Sequence, residues 1–256
     1  MIPLKDNIPT ERTPWVTIAL IAINVFVYFV LQKGGIFGGP SNEIVLDWGA
    51  IPYEITHPGQ QCDAVQAAVG PAIGCGRIPG SHPATILTLF SAMFMHGSIL
   101  HLAGNMLFLW IFGNNVEDAM GLARFVVFYL LGGLAALLLQ TVVEPNAAVP
   151  TVGASGAIAA VLGGYILLYP QARVITVIFI VFFFTILELP AMIVLGLWFL
   201  QQIAFGYFDL AQPAGGGGGG VAYFAHIGGF VFGLAAIKLF ANRQKDYVVP
   251  PRYPVY

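Results

Sequence analysis

Val152-Gly153-Ala154-Ser155-Gly156-Ala157 opens an apolar run that continues to Tyr169. Such a run reads as a bilayer-crossing helix, because about 20 mostly apolar residues cross a hydrocarbon core of about 30 Å. Ser155 stands at its mouth among glycines and alanines. Alone it carries little information, since small hydroxyl residues are ordinary helix-packing material in membranes. Its weight comes from His226, a histidine inside another apolar run, because an ionisable side chain within a span marks a functional site by default.

Working outward, the 256 residues are 58% hydrophobic and 9% charged, with a mean hydropathy of +0.82. A soluble domain carries about 25% charged residues. The expected class is therefore an all-α polytopic membrane protein whose first partner is the lipid bilayer. A net charge of −2 is uninformative about nucleic acid, and with no basic run to suggest it none is expected as a partner.

A polar head, residues 1–13, precedes a first span at Pro14–Gln32; no small-residue cleavage site follows, so it reads as a retained signal anchor. A glycine- and proline-rich loop fills residues 33–88. Spans follow at Ser98–Phe112, Ala123–Val143 and Thr151–Tyr169, and a last one at Val221–Leu239. The stretch from Val174 to Phe208 is too long for one helix, and Glu188-Leu189-Pro190 interrupts it. Read as two crossings it makes seven spans; read as one near Pro190–Phe208 it makes six.

Charge arbitrates. With six spans and both termini in the cytoplasm, the inner segments hold Lys5, Arg12, Arg124, Arg173, Lys238, Arg243, Lys245 and Arg252, and the outer ones only Lys33 and Arg77. That is the positive-inside asymmetry. The expectation is a six-helix membrane domain over residues 14–241, with Val174–Leu187 an apolar interfacial or re-entrant segment and residues 242–256 a short basic tail. Gly215–Gly220, six glycines before the last span, reads as a mobile loop, either a plain linker or a lid.

In this topology the second, fourth and sixth spans all start at the outer face. His101 and Asn105 lie four residues apart, on one face of the second span. Ser155 begins the fourth. His226 lies roughly 7–8 Å below the start of the sixth at 1.5 Å per residue. Each has an ordinary explanation by itself: Ser155 and Asn105 as helix glue, His226 as a structural histidine, His101 as a headgroup contact. Their convergence at one depth favours a site. Small residues strengthen it, for His226, Gly229 and Gly233 share one helix face, and Ser155, Ala159 and Gly163 share another, so the two backbones can approach closely. A serine hydroxyl within reach of an imidazole is what an activated nucleophile requires. The start of the fourth span offers unpaired N–H groups for an oxyanion, with the Asn105 amide and the His101 ring beside it. No carboxylate falls at this depth, which favours a Ser155–His226 dyad over a triad. Neither a cofactor nor a metal is expected, since there is no His-Glu-xx-His pattern.

Three motifs taken together, Met95-His96-Gly97-Ser98-Ile99-Leu100-His101-Leu102-Ala103-Gly104-Asn105, Gly153-Ala154-Ser155-Gly156 and Ala225-His226-Ile227-Gly228-Gly229 with Gly233, resemble the rhomboid family of intramembrane serine proteases. Trp48-Gly49-Ala50 and Phe112-Gly113-Asn114-Asn115-Val116-Glu117-Asp118 also look like that family. The resemblance covers about Leu87 to Leu239. It implies Ser155 as nucleophile, His226 as general base, and an oxyanion site from the Ser155 N–H, His101 and Asn105. It implies single-pass transmembrane protein substrates admitted laterally, with Trp198 and Phe199 near a gate.

Two departures stand out. Ala159 occupies a position where many rhomboids carry a tyrosine that stacks on the histidine, and the first outer loop lacks the Trp-Arg pair common there. Cys62 and Cys75, on the oxidising side, are a candidate disulfide worth about 3 kcal/mol of loop entropy, the alternative being two free thiols. The short tails and the N-terminus, which is not transit-like, suggest a prokaryotic plasma membrane. The competing readings are a catalytically inactive rhomboid-like protein that binds membrane clients, and a channel or transporter, for which only Val174–Pro190 offers a broken helix.

Overall fold

The computed structural model describes residues 1–67, 70–77, 83–180, 183–211 and 221–242. The glycine run Gly215–Gly220 and the basic tail from Arg243 onward lie outside the described residues. Along the chain come β1 (Ile2–Asp6), α1 (Trp15–Phe26, prolonged by a π turn over Val27–Leu31), α2 (Asn42–Trp48), α3 (Pro52–Thr56), β2 (Gln61–Ala67), β3 (Gly70–Gly76) and α4 (Thr85–Ser91). Then follow α5 (Ile99–Phe108, with a π turn over Leu109–Gly113), α6 (Asn114–Met120), α7 (Leu122–Val143), α8 (Ser155–Leu168), β4 (Arg173–Ile180), β5 (Phe183–Pro190), α9 (Ala191–Leu210) and α10 (Tyr223–Phe240).

Among the described residues, four helical stretches are long and apolar enough to cross a bilayer: Ile99–Met120, Leu122–Val143, Ala191–Leu210 and Tyr223–Phe240. Trp15–Leu31, Thr85–Phe94 and Ser155–Leu168 are apolar but shorter. α8 lies at the centre, with every residue from Gly156 to Tyr165 buried, which is why it is apolar all round rather than amphipathic. Glycines let its neighbours close in. A Cβ on Gly229 would stand 2.0 Å from the Gly156 carbonyl oxygen, and one on Gly233 would stand 2.1 Å from that of Ala160, both on α8. A Cβ on Gly132 of α7 would come within 2.4 Å of the Ala160 methyl. Dispersion between closely approaching backbones is the main attraction available where lipid is as apolar as the side chains.

The all-α expectation needs correcting. Val174–Leu187 lies within an antiparallel hairpin, β4 paired with β5, and β1 adds a third strand against β4. The physical reason is local, for Val174-Ile175-Thr176-Val177-Ile178 is a β-branched run that fits a pleated surface better than a helix. Val174 and Thr176 are fully buried, whereas Phe179, Phe183 and Phe184 are exposed. The hairpin runs directly into α9, whose first N–H, on Ala191, donates to Ala172 O at 2.7 Å.

The long loop is also structured. β2 and β3 pair antiparallel with Cys62 opposite Cys75, and the two are joined in a disulfide. At the other end of the bundle, Glu117 on α6 caps α1, accepting from Val16 N at 3.0 Å and from Thr17 N and Oγ1 at 2.7 Å each. A carboxylate there satisfies otherwise orphaned N–H groups and complements the helix dipole. Asn115 donates to Asp6 at 2.8 Å, as does Tyr165 of α8 at 2.5 Å. The Phe112–Asp118 motif thus fastens the N-terminal segment to the core.

Candidate active site

Ser155 is the first residue of α8, and the chain reaches it through a constrained extended segment. Ala50 and Thr151 form a β-bridge, with Thr151 N donating to Ala50 O at 2.8 Å, and Gly153 N donates to Ala92 O at 2.9 Å. The motif Trp48-Gly49-Ala50 from the long loop lies alongside, where a Cβ on Gly49 would meet Pro150 at 2.7 Å and Val152 at 3.0 Å. Gly153 has φ +139°, which L side chains rarely adopt, and a Cβ there would stand 2.9 Å from His101 Nε2 and 3.3 Å from Ser155 Oγ. Only glycine lets the serine and the His101 ring share this corner.

Across the α8–α10 contact, His226 Nε2 lies 2.8 Å from Ser155 Oγ. Its other nitrogen, Nδ1, lies 2.9 Å from Gln202 Oε1 on α9. Gln202 Nε2 donates to Trp198 O at 3.1 Å, which identifies the amide end facing the imidazole as oxygen. An amide oxygen only accepts, so Nδ1 carries the proton and Nε2 presents its lone pair to the serine. Trp198 itself lies over the ring, centroids 5.7 Å apart. Gln140 on α7 ties down the backbone beside His226, its Oε1 accepting from Ala225 N at 3.1 Å.

Ser155 and His226 line a cavity of about 840 Å³ together with His101, Asn105, Trp198 and the segment Pro150–Gly153; Gln140, Glu144 and Asp209 lie along its wall. Asn105 is buried, and its Nδ2 has no hydrogen-bond partner among the described residues. A buried amide donor left unmade costs about 1–3 kcal/mol, so this one is available to an acceptor entering the cavity. The N–H groups of the first turn of α8 point the same way. His101 stacks edge-on against the buried His96, centroids 5.1 Å apart. Phe199 turns instead to α10, stacking on Phe230 at 4.2 Å. Of the two aromatic residues expected near a gate, Trp198 lines the cavity and Phe199 packs within the helix pair.

The rhomboid domain model matches residues 83–243, well over half of the chain and all of this site. The chain belongs to the rhomboid family. Its relatives include a Saccharomyces cerevisiae protein described as rhomboid protein 1, mitochondrial, which is 29% identical over 154 residues, 58% of this chain and 40% of that protein. The Mus musculus presenilin-associated rhomboid-like protein, mitochondrial, is 31% identical over 147 residues, 55% of this chain and 34% of the relative. The Bacillus subtilis rhomboid protease GluP is 29% identical over 150 residues, 59% of this chain and 24% of the relative. The chain spans less than half the length of each of these three.

Within this rhomboid, Gln202 and Gln140 are the site residues that motif reading missed. A signal for Gln202 exists, since Gln201-Gln202 interrupts an apolar span and polar groups there seek partners. Which of the two faces inward depends on the rotation of α9: Gln201 is exposed and Gln202 buried. Asp209 belongs to the last turn of α9.

Proposed function

We propose that this membrane protein is an intramembrane serine endopeptidase that cleaves single-pass membrane proteins in or near their transmembrane segment. The observation that carries the reading is the relay from Gln202 through His226 to Ser155, at 2.9 and 2.8 Å, opening on a cavity with an unpaired amide donor. Ser155 Oγ attacks the scissile carbonyl while His226 Nε2 takes its proton. The oxyanion accepts hydrogen bonds from the Ser155 N–H, Asn105 Nδ2 and the His101 ring, preorganised donors in a water-poor site. Collapse returns the proton from His226 to the leaving amine. Water, activated by the same imidazole, then hydrolyses the acyl-enzyme. No metal or cofactor takes part in these steps.

In this reading the chain crosses the bilayer six times, through α1, α5–α6, α7, α8, α9 and α10, with both termini in the cytoplasm and the cavity facing out. Charge asymmetry supports that orientation. At 1.5 Å per residue the 14-residue α8 is about 21 Å long, against about 33 Å for the 22-residue α7. A helix that short starts inside a hydrocarbon core of about 30 Å, so Ser155 is recessed and reached through the cavity above it. Lateral access past Trp198 on α9 fits a transmembrane substrate. A client-binding relative without chemistry needs neither an intact relay nor an orphaned amide.

The test is labelling of the membrane-embedded protein with a fluorophosphonate. Wild type labels, and Ser155→Ala and His226→Ala do not. Equal labelling of all three overturns the reading.

A further inference from the structure

The rhomboid motifs account for Ser155, His226, His101 and Asn105 but leave the second nitrogen of the base unassigned. We propose that Gln202 is the positioning residue for His226, holding the imidazole in the Nδ1–H form, and that the base is complete only while α9 is seated against α10. The inference rests on the serine–histidine reading and deepens it.

Three observations carry it. Gln202 is only 6% exposed, within a helix whose other faces present Met192, Ile193, Leu197 and Leu200 to the surroundings. Its amide is spoken for at both ends, Nε2 by the Trp198 carbonyl and Oε1 by His226 Nδ1. Trp198, one helical turn earlier, covers the same imidazole with its ring. A helix places residues i and i+4 on one face, so a single face of α9 supplies both the acceptor and the cover.

The chemistry gives that acceptor a task. A neutral imidazole has one protonated nitrogen, and the partner of one nitrogen decides the state of the other. Without Gln202 Oε1, the ring is free to carry its proton on Nε2. It then points a donor at Ser155 Oγ and can no longer accept the serine proton. Gln202 touches neither substrate nor the reacting atoms, and it acts only through His226. Because both supports stand on α9, while nucleophile and base stand on α8 and α10, displacement of α9 removes them together. Re-seating restores a competent base.

The test uses the full chain reconstituted in liposomes, with saturation kinetics of fluorophosphonate labelling and nitrogen NMR of histidine-labelled protein, His226 being assigned by its loss in His226→Ala. Gln202→Leu, which fills the space without an acceptor, lowers the maximal labelling rate about 10- to 100-fold with half-saturation unchanged; outright loss of a general base costs about 10²- to 10⁴-fold. The His226 proton then distributes over both ring nitrogens. Gln202→Glu restores an acceptor and recovers most of the rate, which a purely structural role does not predict. It also decides the matter should Gln202→Leu fail to fold. A wild-type rate and tautomer in Gln202→Leu, or a folded Gln202→Glu that is no faster than Gln202→Leu, overturns the proposal. If wild type itself fails to label, the protease reading falls, and the NMR tautomer still reports on Gln202 independently.

Discussion

Trp198 lies over the imidazole of His226, ring planes 37° apart and centroids 5.7 Å apart. Ala159 is fully buried in α8, close enough to α10 that a Cβ on Gly229 would meet its methyl at 3.3 Å. Cover for the His226 ring comes from α9.

Removing that cover should slow the chemistry without unfolding the bundle. An aromatic pair of this kind is worth about 0.5–1.5 kcal/mol, so Trp198→Ala should lower the fluorophosphonate labelling rate about 3- to 10-fold, and Trp198→Phe should keep most of it. Ala159→Tyr should not compensate. A tyrosine overpacks the α8–α10 seam and costs about 1–3 kcal/mol, visible as a lower thermal midpoint in detergent.

The α8–α10 seam should be intolerant of a single methyl group. Gly229→Ala places a Cβ 2.0 Å from the Gly156 carbonyl oxygen, backbone that cannot rotate away. We expect a loss of about 1–3 kcal/mol and a disproportionate loss of labelling, because Gly156 directly follows Ser155. Gly196→Ala on α9 is the control. Nothing lies within 4 Å of its Cβ position, and the change should be neutral or stabilising by up to about 1 kcal/mol. Thermal unfolding of the two variants side by side checks this.

Stability should fall as pH rises through the range in which Asp6 titrates. Burial pushes the Asp6 carboxyl up from 3.8 to about 6, against the opposing hydrogen bonds from Tyr165 and Asn115. The folded chain therefore holds this proton more tightly than the unfolded chain. Its contribution is fully present below about pH 3.8 and is lost as pH rises through about 6. Asp6→Asn, which keeps an acceptor without the charge, should flatten the dependence between pH 4 and 7. Unfolding midpoints of the two proteins across that range are the measurement, and parallel curves would refute the assignment to Asp6.

Reduction of Cys62–Cys75 should loosen the β2–β3 hairpin while sparing the site. The disulfide closes β2 onto β3, whereas Ser155 is steadied by the Ala50–Thr151 bridge and the Gly153–Ala92 hydrogen bond. A reductant should speed proteolysis between Gln61 and Gly76 and leave the labelling rate unchanged. A non-reducing mass lower by two hydrogens than the reduced one verifies the bond itself.

Much of the site is legible in the sequence for a simple reason. Hydropathy and the 1.5 Å rise are local quantities, so they place His101, Asn105, Ser155 and His226 in the first turns of their helices without any packing information. Small-residue spacing marks helix faces in the same way. The β-branched run at Val174–Ile178 was legible as apolar, but periodicity alone does not separate a short buried strand from a helix segment. Its pairing with β1, from the far end of the chain, involves a partner no local window contains.

By itself, then, the sequence determined membrane character, family, and the helix positions of a serine, two histidines and an asparagine. Tertiary structure alone decided the rest: the pairing of β1 with β4, the bridge that presents Ser155, and the turning of Gln202 rather than Gln201 toward His226. Depth along a helix follows from counting residues. Rotation about its axis, and the partner thereby met, follows from how every neighbouring side chain packs.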